Sequence, residues 1–167
     1  FEGTSKKVET MVMGDQIDLG VVIEPYENPH MRLKTVYRSE VVLAVSQKHR
    51  LAKRDVVNFT ELKEEPMLIV SKDYMFHDQI LVRCKEAGFV PNITFTTSQW
   101  DLLLEMTAED QGITLIGRPV VEKLYSDRIK CISLKNPEFP WTLGLISKKC
   151  KPLQEPAKSL WDFCNEI

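Results

Sequence analysis

An α/β fold is expected from three features of the sequence. Short β-branched runs alternate with stretches of helical apolar spacing along the whole chain. Several of those runs end in Ser, Thr or Gly immediately before a helix. One run, LKTVYRSEVVLAVS (33–46), is too long for an ordinary strand unless it passes between two sheets. Sustained β/α alternation argues for parallel sheets with helices on their faces.

The elements follow in order. From Ser5 to Met13, Val8, Met11 and Val12 fall at i, i+3 and i+4, with Gly14 at the C-cap, which predicts a short helix. IDLGVVI (Ile17 to Ile23) reads as a buried strand stopped by Pro25. Helix into buried strand is half of a βαβ unit, whose leading strand is expected to have shrunk to Phe1 and Glu2. KHRLAKRD is a polar turn, Thr60 starts a short helix, and Met67 to Val70 form a buried strand entered through Pro66. Met75 or Phe76, Ile80, Cys84 and Ala87 mark one stripe of a helix closed by Gly88. VPNITFTTSQ is a strand, WDLLLEMTAED a helix, GITLIG a buried strand, VVEKLY a short helix after Pro119, and IKCISL and WTLGLIS are strands. Leu160, Phe163, Cys164 and Ile167 repeat at helical spacing at the end.

A length of 167 residues, 43% of them hydrophobic, provides a real core for one domain or two small lobes. The formal charge of −2 lacks the basic bias that tracking a phosphate backbone requires, so DNA contacts would have to sit elsewhere. No apolar run approaches the roughly 20 residues of a membrane span, and no signal-peptide segment is visible. Cys84, Cys131, Cys150 and Cys164 are widely spaced without a C-x-x-C pair, as expected for reduced thiols in a cytoplasmic protein.

No catalytic signature occurs: there is no G-x-S-x-G, no phosphate-cradling G-x-x-x-x-G-K and no H-E-x-x-H. The chain is therefore not expected to be an enzyme or to carry a cofactor or metal. His30, His49 and His77 lie in separate segments and read as single surface histidines. What remains is a set of strand ends that lead into helix N-termini. In doubly wound sheets ligands bind beyond the carboxyl ends of the strands, where free N–H groups favour anions. Four places fit: Thr4 and Ser5 after Gly3; Ser71 to Tyr74; Thr97, Ser98 and Gln99; and Arg118 after Gly117. Each also reads as an ordinary helix cap, Tyr74 also as a packing residue and Arg118 also as an exposed cation. Arg118 could grip a carboxylate with two parallel hydrogen bonds.

The runs EGTSKKVETMVMGDQIDLGVV, VVLAVSQKHRLA, EAGFVPNITFTT and QGITLIGRPVVEKL, in that order, resemble the effector-binding domain of LysR-type transcriptional regulators. The resemblance implies two Rossmann-like lobes joined by two crossing strands, like type 2 periplasmic binding proteins, with a small effector between them. Carried onto this chain, lobe I is 1–42 with 139–167 and lobe II is 43–138. The crossings are TVYRSEVVLAV and WTLGLIS. The resemblance places effector contacts at Thr4, Ser5, Ser71 to Tyr74 and Thr97 to Gln99; Arg118 comes from the anion argument alone. It further implies a bacterial regulator that forms a homodimer or tetramer and touches DNA only through an N-terminal domain outside this chain. The first β-α unit of lobe I is likewise expected to be missing. The expected ligand is a small organic anion, a carboxylate by preference. The alternative is a solute-binding protein of a transport system, which shares the fold.

Overall fold

β-branched side chains and hydrophobic stripes lead to eight strands and five α-helices among the described residues. The computed structural model describes residues 1–124 and 127–164. The chain divides into two compact units, Phe1–Arg38 with Trp141–Ile167, and Ser39–Pro140.

In the first unit, α1 (Ser5–Met13) begins at Thr4, whose Oγ1 accepts from the Lys7 N–H at 3.3 Å. It ends in a left-handed turn: Gly14 is the C-cap, and Asp15 behind it has φ 57°. The Gln16 N–H then returns to the Met11 carbonyl, and the Asp15 N–H to that of Val12. Strand β1 (Gly20–Ile23) pairs antiparallel with β8 (Pro140–Lys148), which neighbours β2 (Met31–Ser46). Val12, Val22, Met31 and Ile146 form the small core, with Val8, Ile17 and Tyr26 around it.

Helix α5 (Ala157–Phe163) forms where the helical spacing predicts one. Leu160 and Phe163 are 51% and 61% exposed, so the apolar stripe does not face a core; Ile167 lies outside the described residues. The helix is held instead by Trp161, whose ring lies under the Lys34 ammonium at 4.3 Å and the Arg32 guanidinium at 5.4 Å.

The second unit contains the C-terminal part of β2, with β3 (Val56–Asn58), β4 (Pro66–Val70), β5 (Asn92–Thr97), β6 (Thr114–Gly117) and β7 (Ile129–Lys135). Pairing is mixed rather than all parallel. β4 pairs parallel with β5, and β3 with β7, whereas β2 runs antiparallel to both β6 and β7. The antiparallel pairs arise because β2 enters from the other unit against the direction of the β/α repeat. β3, hidden in a polar stretch of the sequence, forms because β7 presents a free edge to it. β2 is buried on both faces from Val41 to Val45, and Val42 and Ala44 pack with Leu104, Ile116, Val121 and Ile129.

Three helices follow strands here: α2 (Met75–Glu86) after β4, α3 (Trp100–Ala108) after β5, and α4 (Arg118–Leu124) after β6. Phe76, not Met75, heads the buried stripe of α2 with Ile80 and Cys84. Gly88, at φ 82°, lets the Phe89 N–H reach the Cys84 carbonyl and closes the helix as expected. Two histidines are more embedded than single surface residues. His49 reaches the Glu65 carboxylate at 3.3 Å because the SQKHRLA turn folds back on the segment before β4, and His77 contacts Asp78 at 3.3 Å.

All four cysteines are free thiols. Burial pushes the Cys84 thiol up to about 11, so at pH 8 only about one molecule in a thousand carries the reactive thiolate there. Iodoacetamide at pH 8 is therefore expected to alkylate exposed Cys150 quickly and Cys84 only as the protein unfolds, as read by peptide mass mapping with time. Native-state labelling of Cys84 at the rate of Cys150 would contradict this burial.

Candidate functional site: a polar strand edge

The parallel register of β4 and β5 aligns Val70 with Thr97, so the two strands end level. The loops that leave them are tied together. Ser71 N–H donates to the Thr97 carbonyl at 2.8 Å, Tyr74 N–H to the Ser71 carbonyl at 3.1 Å, and Gln99 N–H to Thr97 Oγ1 at 3.2 Å. The Tyr74 hydroxyl spans the gap and donates to the Ser98 carbonyl at 3.3 Å. Its ring meets Trp100 edge-on at 6.2 Å, and Trp100 lies 5.6 Å from Phe76. Ser71, Tyr74, Thr97, Ser98 and Gln99 are thus brought together on an aromatic base.

Two features of this edge favour an anion. The N-caps of α2 and α3 are Tyr74 and Gln99, and neither side chain caps its helix. The His77 N–H turns back to the Tyr74 carbonyl at 3.0 Å, and no N-cap side chain takes up the other first-turn N–H groups, which leaves them donor capacity and the partial positive charge of the helix end. In addition, Ser71 Oγ is buried and has no hydrogen-bond partner among the described residues. Lys72, exposed next to Ser71 in the chain, adds a cation, whereas Asp73 beside it and Asp78 and Asp101 in the first turns oppose an incoming negative charge.

The other predicted residues sit differently. Thr4 and Ser5 belong to the first unit, where Thr4 caps α1 and Ser5 Oγ accepts from the Ile23 N–H at 3.2 Å, which leaves its own O–H free to donate. Arg118 opens α4, and its guanidinium is already committed. It donates twice to Glu40 Oε1, at 2.6 and 2.9 Å, and to Glu122 and Ser133 at 3.0 and 2.8 Å. Burial works against its charge, but the hydrogen bonds it donates to the Glu40 and Glu122 carboxylates outweigh it and raise its pKa. Its grip on a carboxylate is therefore exercised within the chain.

The residues missed by sequence reasoning are Trp100, which floors the site, and Glu40, which holds Arg118. Trp100 carries a legible signal as the first residue of a helix after a strand end. Glu40 carries none, because only the antiparallel register sets it beside a residue 78 positions later.

A groove of about 400 Å³ lies in the first unit, lined by Phe1, Val8, Ile17, Val21, Leu145 and Leu160 among others. Its lining is mainly apolar, and its one acidic side chain, Glu2, would oppose an anion. Among the described residues no cluster of His, Cys, Asp and Glu could hold a metal ion, and no helix is long and apolar enough to cross a membrane.

Residues 1–167 match the LysR substrate binding domain over their full extent. The chain belongs to that family. Among curated proteins it is 33% identical over 169 residues to the HTH-type transcriptional regulator YwbI of Bacillus subtilis (strain 168), covering 96% of this chain and 56% of that protein. It is 23% identical to the transcriptional dual regulator GltC of the same organism, over 97% of this chain and 54% of GltC. The chain thus spans about half the length of these relatives, which are transcriptional regulators and not enzymes.

Among solved structures this LysR-family chain superimposes on the effector-binding domain of QuiR in complex with shikimate, with a TM-score of 0.87 and 20% identity, over 98% of this chain and 78% of that one. The BenM effector-binding domain with benzoate gives a TM-score of 0.84 at 16% identity, over 100% and 76%. At such identities the likeness is one of fold, the type 2 periplasmic-binding-protein-like α/β architecture.

Proposed function

We propose that the chain is the sensing domain of a LysR-type regulator in which the edge formed by Ser71, Tyr74, Thr97, Ser98 and Gln99 binds a small organic anion, a carboxylate by preference. The observation that carries this reading is the pair of uncapped helix N-termini at adjacent strand ends, with the unpartnered Ser71 hydroxyl beside them. Helix N-termini bind carboxylates and phosphates through exactly such free donors and the helix dipole. Thr4 and Ser5, at the start of α1, are proposed as ligand-contact residues within the first unit. Two structural neighbours, the QuiR domain with shikimate and the BenM domain with benzoate, support the same ligand class.

Ligand binding would shift a population of conformations by its differential affinity for them, and the DNA contacts of the whole regulator, a homodimer or tetramer, would lie outside these residues. The formal charge of −2 is consistent with that division. A solute-binding role in transport shares the fold, but the relatives are regulators, which favours sensing in the cytoplasm.

A thermal-shift titration tests the ligand class, with benzoate set against benzamide. The two share shape and differ in charge. A carboxylate at 100 times its Kd stabilises by about 2.7 kcal/mol, which for a domain of this size raises Tm by roughly 5–10 °C. Benzoate or shikimate is expected to produce such a rise and benzamide none. Equal stabilisation by benzamide, or a response only to neutral or cationic compounds, would overturn the assignment.

A further inference from the structure

The second unit contains a charged cluster that the anion-binding edge does not use. Val41 of β2 stands opposite Gly117 of β6 in an antiparallel pair, so the next pair outward sets Glu40 across from Arg118. Glu40 Oε1 accepts three hydrogen bonds, from Arg118 Nη2 at 2.6 Å, Arg118 Nε at 2.9 Å and Ser133 Oγ at 3.1 Å. Arg118 Nη2 also donates to Ser133 Oγ at 2.8 Å, and Nη1 to Glu122 at 3.0 Å. The guanidinium is thus shared between two carboxylates, with both of its bonds to Glu40 falling on one oxygen.

The root of this arginine lies next to the proposed site. β6 runs beside β4, with Leu68 N–H donating to the Ile113 carbonyl at 2.8 Å and Thr114 Oγ1 to the Leu68 carbonyl at 2.7 Å. Continued in the same parallel register, the single bridge between Met67 and Ile113 would bring Gly117 level with Ser71. Neighbouring strands lie about 4.8 Å apart, less than the length of an extended arginine side chain. Arg118 therefore starts one strand from Ser71 with its charge turned the other way, toward β2 and β7. Its side chain remains 27% exposed and that of Glu40 40%, so exchange of partners requires no opening of the core.

From this placement we infer that Glu40 is an autoinhibitory surrogate for the ligand: its carboxylate occupies Arg118 until a bound anion draws the guanidinium across to the Ser71 edge. The inference rests on the anion-binding reading of that edge. Glu122, one turn along α4, remains as the second partner and limits how far the charge is released. The internal pair lowers apparent affinity, because the ligand must compete for Arg118. A partly exposed ion pair is worth up to about 1 kcal/mol, so removing the competitor should tighten binding by about threefold to fivefold.

The test is an isothermal titration of benzoate into the wild-type chain, E40Q and the double variant E40Q/R118M. Gln keeps the length and the acceptor oxygen of Glu40 and removes only its charge. E40Q is expected to bind benzoate about threefold to fivefold more tightly, and the double variant to lose that gain. Independently of any variant, the Arg118 Nε–H resonance of the wild-type protein is expected to move as benzoate saturates. If benzoate binds the wild type but E40Q shows no gain, or the Arg118 resonance stays in place, the inference fails while the anion site stands. If benzoate binds neither protein, both readings fall.

Discussion

Replacing Phe76 with alanine is expected to destabilise the protein by about 3–5 kcal/mol, measured as the change in unfolding free energy in urea. Phe76 is 2% exposed and lies at the second position of α2. Its ring is 5.6 Å from both Trp100, the first residue of α3, and Phe139, which itself packs against Phe59. One side chain therefore joins the first turns of both helices at the proposed anion-binding edge to the segment that leads into β8. Truncation removes apolar contact and leaves a cavity that several rigid rings cannot collapse to fill. A loss of this size is a large part of the 5–15 kcal/mol that typically holds a domain together. Phe76→Leu, which keeps most of the volume, should cost well under half as much. A Phe76→Ala cost below about 1.5 kcal/mol would show that the aromatic stack is not what fixes these helix starts.

Ser71→Ala is expected to separate binding from stability. Its Oγ is buried and unpartnered among the described residues, and such a hydroxyl opposes folding relative to a methyl group. The variant should therefore be as stable as the wild type, or more so by up to about 1 kcal/mol. Benzoate affinity should fall by about ten- to thirtyfold, because a hydrogen bond to a charged group is lost. Thermal unfolding with and without benzoate reads both effects on one sample. A structural cap or an inert packing residue would give the opposite pattern, with stability falling and affinity unchanged.

These two expectations depend on residues that were unequally legible in the sequence. Ser71, Thr97 and Gln99 were identifiable because a hydroxyl or amide residue between an apolar β-run and a helical stripe is a local signal, and strand ends in this class of fold face the ligand. The same signal at Thr4 marks a cap that α1 does use. Local chemistry alone could not separate the two cases, since capping depends on the rotamer and backbone angle at each site. Arg118 was identifiable as a cation at a strand end, but its engagement was not, because Glu40 and Ser133 reach it only through strand pairing.

Helical spacing predicts a helix both where the stripe meets a core, as for Ile80 and Cys84, and at α5, where Leu160 and Phe163 are exposed. A stripe reports that a helix has an apolar side. It does not report that anything lies against it. β3 was invisible for a related reason: three residues in a polar stretch become a strand only because β7 is there to pair with them.

By itself, then, the sequence determined the order and type of most elements, the overlong crossing strand, the absence of a known catalytic motif, and the family. All of these follow from spacing along the chain or from short motifs. Tertiary structure alone decided the mixed direction of the sheet, the two uncapped helix starts side by side, the unpartnered hydroxyl at Ser71, and the commitment of Arg118 to Glu40. Each of these is a relation between residues far apart in sequence, set by which strand edges and helix faces can satisfy one another, and no local propensity encodes it.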